Sequence, residues 1–433
     1  MITIAKWINL LQLAGKLHQF NSISCLLKGN NDRTLHMKKT KLALLAFLML
    51  LGINSRSQEE FIEPPSRLLS RFTFVQLTGG VVIIQARLND FPDTLNFILD
   101  SGSSGISLDS ATVDYFKLKP VPSDRTIRGI AGIKKVSFLY NQTLKFPGCR
   151  VDSLDFHVND YSILTAVYGE RVDGIIGYSL LSRYIVKLNY DSLKMEIWSQ
   201  GTMRYPRGGY LVKPYISTLP VHLARIKDEA AYTTRFLHDI GAGVCLMVSK
   251  DFAEDSALIK RKRKLFPKEG EGVGGTIVMN MTVVKELKLG PYRFRNVPTY
   301  IFEDDFNVTS YPYLGGLIGN DILRRFNTIF NYQKRDIYLI PNTHYREPFD
   351  YSYSGIELYY TDGQTVIGNV SAGSPAELGG VKVGDIVVAI NNNFSQNFNQ
   401  YKTTLQSSNE RVKLIVRRKE ELVQITFKVK SIL

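Results

Sequence analysis

Apolar and polar positions alternate along most of this chain. From residue 70 onward, short runs rich in Val, Ile, Phe and Tyr recur between Gly, Asp, Asn and Ser turns, which is the pattern of strands. FTFVQL at 72–77 and GVVIIQARL at 80–88, separated by Thr78 and Gly79, predict a hairpin. NFILD at 96–100 predicts a strand that runs into an Asp-Ser-Gly turn, and an amphipathic helix is expected over 110–116. Further strands are expected near 135–146, 151–158 and 184–198. The second half retraces this order, with strands near 218–226 and 231–238, an Asp-Ile-Gly turn, a helix near 250–259, and strands at 274–287, 292–302 and 327–340. The expected fold is mainly β, in two lobes at 70–204 and 205–343 joined near 203–208.

The two halves also share sequence. FILDSG at 97–102 is followed by DGIIG at 173–177, and FLHDIG at 236–241 by GGLIG at 315–319. Residues 173–198 lie over 315–340 without a gap, and Gly174, Gly177, Leu181, Arg183, Asn189 and Tyr190 meet identical residues at Gly316, Gly319, Leu323, Arg325, Asn331 and Tyr332. Duplication accounts for this.

Composition sets limits on what the repeat is. A chain of 433 residues suits two or three domains, and 44% hydrophobic with 22% charged residues is a globular balance. No apolar run in the body reaches membrane-spanning length. The N-terminus differs: Met37, Lys38, Lys39 and Lys41 precede a segment at 42–53 that is apolar apart from Gly52. That layout predicts a secretory signal within 1–57, with Met37 as the expected start, and export to a periplasm or the outside. Residues 1–57 hold eight Lys/Arg and one Asp, so without them the formal charge falls from +14 to +7.

The remaining basic cluster, KRKRK at 260–264, lacks the aromatics of a nucleic-acid surface and reads as a solvated loop. Only Cys149 and Cys245 follow the leader, so no disulfide framework is indicated. The histidines have no metal-ligand spacing, and neither a metal nor a cofactor is expected.

The repeat supplies two aspartates, Asp100 and Asp239, each at the end of a strand in an Asp-x-Gly turn where glycine lets the backbone fold back closely. Two such turns brought together would place two carboxyl groups where both cannot ionise. The charged member then deprotonates a water attacking an amide carbonyl while the protonated member donates to the developing oxyanion.

These motifs resemble the pepsin and retropepsin superfamily of aspartic peptidases, in two-lobed exported form, over about residues 70–342. The resemblance implies that Asp100 and Asp239 are catalytic. Ser101 and Gly102 match the family's Asp-Thr/Ser-Gly, and Ser103 stands where a hydroxyl usually bonds the catalytic carboxylate. Gly241 and Ala242 match in the second lobe, and Gly177 and Gly319 match the glycines that pack beside each active-site loop. The flap would fall at 129–136, with Gly129 and Gly132, and its counterpart at 270–275, with Gly274. One position departs from the family: Ile240 replaces the Thr or Ser whose hydroxyl braces the lobes, and His238 stands where an apolar residue is usual.

The last segment, 350–433, resembles a bacterial-type PDZ domain, above all through SPAELGGVKVGDIVVAINN at 374–392. The resemblance implies a peptide groove between a helix near 396–407 and the strand Gly355, Ile356, Glu357 and Leu358. Asp385 then lies in a structural turn. GEGVGG at 270–275 fits a dinucleotide-binding pattern only literally, because a strand-like run follows it where a helix is required.

Two readings stand at this level: an exported endopeptidase acting on extended peptides or unfolded protein, with the PDZ domain recruiting substrate or gating the cleft, or a scaffold that binds peptides after losing hydrolysis. Cleavage confined to the chain itself is a third. With both lobes in one chain, no dimer is needed to complete the site, and a monomer without nucleic-acid or membrane partners is expected.

Overall fold

A computed structural model of the protein describes residues 63–260 and 262–433, so the expected secretory signal lies outside the described residues. In lobe 1, six strands follow one another by hydrogen bonding: Val82–Leu88, Leu95–Leu99, Gly174–Ile176, Ile106–Asp109, Cys149–Asn159 and Phe138–Phe146. The last returns to the first through Arg87 opposite Lys145 and Leu88 opposite Leu144, closing a barrel. Lobe 2 repeats the circuit with Pro220–Lys227, Ala231–His238, Gly316–Ile318, Leu246–Ser249, Tyr292–Phe302 and Gly275–Leu289, closed where Ile226 meets Leu287. The period-two pattern explains the closure. Ile84, Ala86 and Leu88 are buried while Gln85 and Arg87 are exposed.

A third sheet joins the lobes. Its order is Leu68–Thr73, Lys194–Trp198, Ile185–Asn189, Phe326–Asn331, Asp336–Pro341 and Tyr210–Val212. At its centre Val186 pairs with Phe330, Lys187 with Ile329 and Leu188 with Thr328. In the ungapped repeat, Lys187 and Ile329 are equivalent positions, so a pseudo-two-fold axis passes between them. The sequence run 72–77 is divided: Leu68–Thr73 joins this sheet, and only Val75–Gln76 forms the expected hairpin with Val82 and Ile83.

Seven helices punctuate the strands among the described residues. They are α1 (Ser110–Tyr115), α2 (Ser162–Tyr168), α3 (Tyr178–Leu181), α4 (Lys250–Asp255), α5 (Asn320–Leu323), α6 (Pro375–Leu378) and α7 (Phe398–Leu405). The side chains of Asp109 and Ser249 cap α1 and α4 at equivalent points in the two lobes. Helix α2, which the strand-like composition of SILTAVY hides, ends at Gly169 with φ +67.

The C-terminal domain has its own sheet, ordered Ile356–Thr361, Gln364–Val370, Ile386–Ile390, Arg411–Arg418 and Glu421–Lys428. Phe398, Tyr401 and Leu405 of α7 pack into its separate core. Asp385 is buried and pairs with Arg418 at 2.6 Å in a turn, the structural role expected of it. No helix among the described residues is long and apolar enough to cross a membrane.

Candidate active site

The two Asp-x-Gly turns are built alike. Leu95–Leu99 runs parallel to Gly174–Ile176, and the Asp100 N–H donates to the Ile176 carbonyl at 2.9 Å. Ala231–His238 runs parallel to Gly316–Ile318, and the Asp239 N–H donates to the Ile318 carbonyl at 3.0 Å. Past each strand the chain turns at Gly177 or Gly319. There the next residue's N–H ties down the neighbouring loop, Tyr178 to Ser103 O at 3.0 Å and Asn320 to Ala242 O at 2.7 Å. A side chain on either glycine would strike that loop: a Cβ would stand 2.7 Å from Asp100 O in one lobe and 2.8 Å from Ala242 O in the other. The repeated glycines are therefore spacers that let each loop sit flat on its partner.

Asp100 and Asp239 meet across the pseudo-two-fold axis. Each leans over the other loop's glycine: a Cβ on Gly102 would lie 2.5 Å from Asp239 Oδ2, and one on Gly241 would run into the Asp100 carboxyl. Gly102 N–H donates to Asp100 Oδ1 at 2.6 Å, while Gly241 and Ala242 N–H groups donate to Asp239 Oδ1 at 2.9 and 3.0 Å. Burial, then the charge of Asp239 and the hydrogen bond between the two side chains, pushes the Asp100 carboxyl well above the usual range. Burial also raises Asp239, but the bond from Asp100 and the two backbone donors oppose it. Both carboxyls are thus held above the usual range and the pair titrates as a unit that shares one proton, as expected of two carboxyls in one enclosed site.

The brace between the lobes is one-sided. Ser101 Oγ donates to the His238 carbonyl at 2.6 Å and accepts from the Ile240 N–H at 3.1 Å. Ile240 returns nothing, because its buried side chain belongs to the hydrophobic core. The Ser103 expectation is corrected: among the described residues its hydroxyl makes no hydrogen bond to Asp100, and the loop is held through backbone Ser103 O instead. His238 is fully buried, stacks edge-on to Phe330, and faces His222 at 3.3 Å from Nδ1 to Nε2. Burial lowers His222 to about 4, and burial with the His222 charge lowers His238 well below its usual value, so both imidazoles are neutral.

A cavity of about 1620 Å³ opens above the pair. Two hairpins roof it. In lobe 1, Thr126–Gly129 pairs with Gly132–Lys135; in lobe 2, Phe266–Gly272 pairs with Gly275–Leu289. Their tips touch: a Cβ on Gly129 would overlap the Val273 carbonyl, and one on Gly274 would stand 2.7 Å from the Ala131 carbonyl carbon. Gly132, Gly129 and Gly274, the glycines expected in flaps, are thus contact points of two opposed hairpins. Gly355, Ile356, Glu357 and Leu358 line the far end of the same cavity rather than an isolated groove.

Sequence reading missed three residues here. Tyr168 of α2 lines the cavity, and burial together with the charges of Asp100 and Asp239 raises its phenol. No motif marks it. Tyr332 is buried near the pair with its hydroxyl unpartnered. Its repeat equivalent Tyr190 donates to Asn320 at 3.1 Å, whereas Tyr332 faces Tyr178, the equivalent of Asn320, ring to ring at 6.1 Å. The repeat overlay contained that signal. Lys402 of α7 is the third, and it lines the cavity from the C-terminal domain. Cys149 and Cys245 are both free thiols, and among the described residues no His, Cys, Asp or Glu cluster is arranged to hold a metal.

Comparison with protein families agrees with this geometry. The aspartyl protease family profile matches residues 84–180 and again 224–322, once in each barrel. The PDZ domain profile matches residues 366–418. No curated protein matches the chain.

Proposed function

From a chain that carries two aspartyl protease lobes and a PDZ domain, we propose an exported endopeptidase that hydrolyses peptide bonds with the Asp100 and Asp239 pair. The observation that carries this reading is the direct contact of two buried carboxyl groups, both raised in pKa, at the floor of a roofed cleft. A water held between them loses a proton to Asp239 as its oxygen attacks the amide carbon, and Asp100 gives its proton to the carbonyl oxygen. In the resulting diol, Asp239 returns its proton to the amide nitrogen and Asp100 takes one from a hydroxyl as the C–N bond breaks. Atoms and charge balance without a covalent intermediate.

The cleft walls are apolar on both sides of the pair. Ile98, Leu164 and Ile175 face it from lobe 1, and Leu237, Met247 and Leu317 from lobe 2. Extended segments with apolar side chains around the cut bond, such as unfolded protein exposes, fit these walls. Incubation with a peptide library between about pH 3 and 7, read by mass spectrometry, tests the proposal in the acid range where a shared-proton pair works. Cleavage is expected from the wild type and lost in Asp100→Asn; cleavage that persists unchanged in Asp100→Asn sinks it.

A peptide-binding scaffold without hydrolysis is the second reading, and the one-sided brace at Ile240 favours it. Contact between the carboxyls argues against it, because a scaffold needs no two carboxyl groups forced together at a free-energy cost.

A further inference from the structure

We infer that the PDZ domain is a clasp that holds the two lobes closed over the cleft, and that a peptide ending in a free carboxylate releases it by displacing the end of α2. The inference rests on the proposed peptidase reading only for its consequence, since the clasp itself is built of contacts away from the aspartates.

Strand Ile356–Thr361 is the edge of its sheet, paired only to Gln364–Val370. An edge strand facing a helix is where an extended peptide would add. Here that place is taken by the chain itself. Helix α2 of lobe 1 packs on the edge strand, and from the other wall Lys402 Nζ donates to the Val167 carbonyl in its last turn. A Cβ on Gly169, which ends α2, would overlap the ring of Phe398. The end of α2 therefore sits between strand and helix as a stand-in ligand.

The same strand grips lobe 2. Glu357 pairs with Lys268 at 3.0 Å, Tyr359 donates to Glu271 at 2.5 Å, and Ser371, from the neighbouring turn, donates to the Pro267 carbonyl at 3.1 Å. All three partners lie in Phe266–Gly272, the outer strand of the lobe 2 flap. The flap's outer strand in turn touches α2, and its tip residue Val273 packs against the hydrophobic cluster that holds Leu164 of α2. The PDZ domain, α2 and the flap thus form a closed triangle over the cavity, and freeing one side loosens the other two.

Lys402 points to the ligand that would open it. Its ammonium is desolvated, which lowers it to about 8, and its hydrogen bond goes to a neutral carbonyl. Among the described residues no carboxylate forms an ion pair with it. A terminal carboxylate would make a charge-assisted bond there, stronger than the one to Val167. A last residue with an apolar side chain suits the walls that Ile356, Leu358 and Leu405 supply. Release requires only that the peptide bind the opened state better than the closed one.

The test uses the full chain carrying Asp100→Asn, so that no peptide is consumed, and reads hydrogen exchange in segments 162–169 and 266–272. The probe is a decapeptide ending in Leu with a free carboxylate, beside the same peptide as its C-terminal amide. Saturating acid-ended peptide should speed exchange in both segments at least fivefold, and the amide should need at least tenfold more to do so. Lys402→Met should erase the difference between the two peptides. Glu357→Gln with Tyr359→Phe should exchange fast at 266–272 without any peptide, and in the chain with Asp100 intact should raise turnover of a short reporter several-fold. Unchanged exchange with saturating acid-ended peptide, equal potency of the amide, or slow exchange in a folded double variant each overturns the clasp. Faster exchange in a protein that hydrolyses nothing would leave the clasp standing and remove the peptidase; hydrolysis with unchanged exchange would do the reverse.

Discussion

The hydroxyl of Ser101 accepts the N–H of Ile240 at 3.1 Å, and no hydrogen bond returns from the Ile240 side chain to lobe 1. The same hydroxyl donates to His238 O, so one buried side chain satisfies two backbone groups of the opposite lobe. Removing it leaves both without a partner, at about 1–3 kcal/mol for each unsatisfied group. Ser101→Ala should lower stability by roughly 2 kcal/mol or more in urea denaturation. Ser103→Ala, whose hydroxyl does not hold Asp100, should change stability little.

Two buried systems give stability opposite slopes with pH. The Asp100 and Asp239 carboxyls titrate above their unfolded values, so their contribution is fully present below about pH 4 and is lost as pH rises through their folded values. Asp100→Asn should therefore stabilise the protein at pH 7 and much less at pH 3. A calorimetric melt at both values checks it.

His222 and His238 act the other way. Their folded values lie below 6.5, so stability falls as pH drops through 6.5 and levels off near 4 for His222. Charging His222 alone amounts to about 3 kcal/mol over that window. His222→Gln should flatten the loss between pH 6.5 and 4, measured by urea midpoints across the range.

How much of this was legible beforehand depends on whether a residue acts within its own strand or across the pseudo-two-fold axis. Asp100, Asp239, Gly177 and Gly319 stand at strand ends in a repeated motif, and local pattern places them. GEGVGG was legible as a glycine-rich hairpin because the run TIVMNMTVV that follows it is strand-like, whereas Gly129 and Gly132 rested on the family resemblance alone. Helix α2 was hidden because its residues favour strands and its helical form comes from packing between lobe 1, the flap and the PDZ domain. The fate of Ser103 depended on side-chain direction within a turn, which a matching position does not determine.

Tyr190 and Tyr332 occupy equivalent places with unequal partners. Tyr190→Phe removes a hydrogen bond from buried Asn320 and should cost about 1 kcal/mol. Tyr332→Phe deletes a buried hydroxyl that has no partner, and should be neutral or stabilising. Paired denaturation curves of the two variants show whether the duplicated positions have diverged in this way.

The flaps meet through glycine. Gly129 is buried at the tip contact, where an added methyl would overlap the Val273 carbonyl. Gly129→Ala should part the tips and raise KM several-fold for a peptide substrate, with a small change in melting temperature because each hairpin keeps its own hydrogen bonds.

The pairing of Asp100 with Asp239 is tested most directly by single-turnover cleavage of one peptide, followed from pH 3 to 7 in wild type, Asp100→Asn and Asp239→Asn. A single shared-proton site predicts a bell-shaped rate profile in the wild type and a loss of at least 1000-fold in either variant, on the order of 4 kcal/mol of transition-state stabilisation. A variant that keeps the wild-type rate and profile would contradict it.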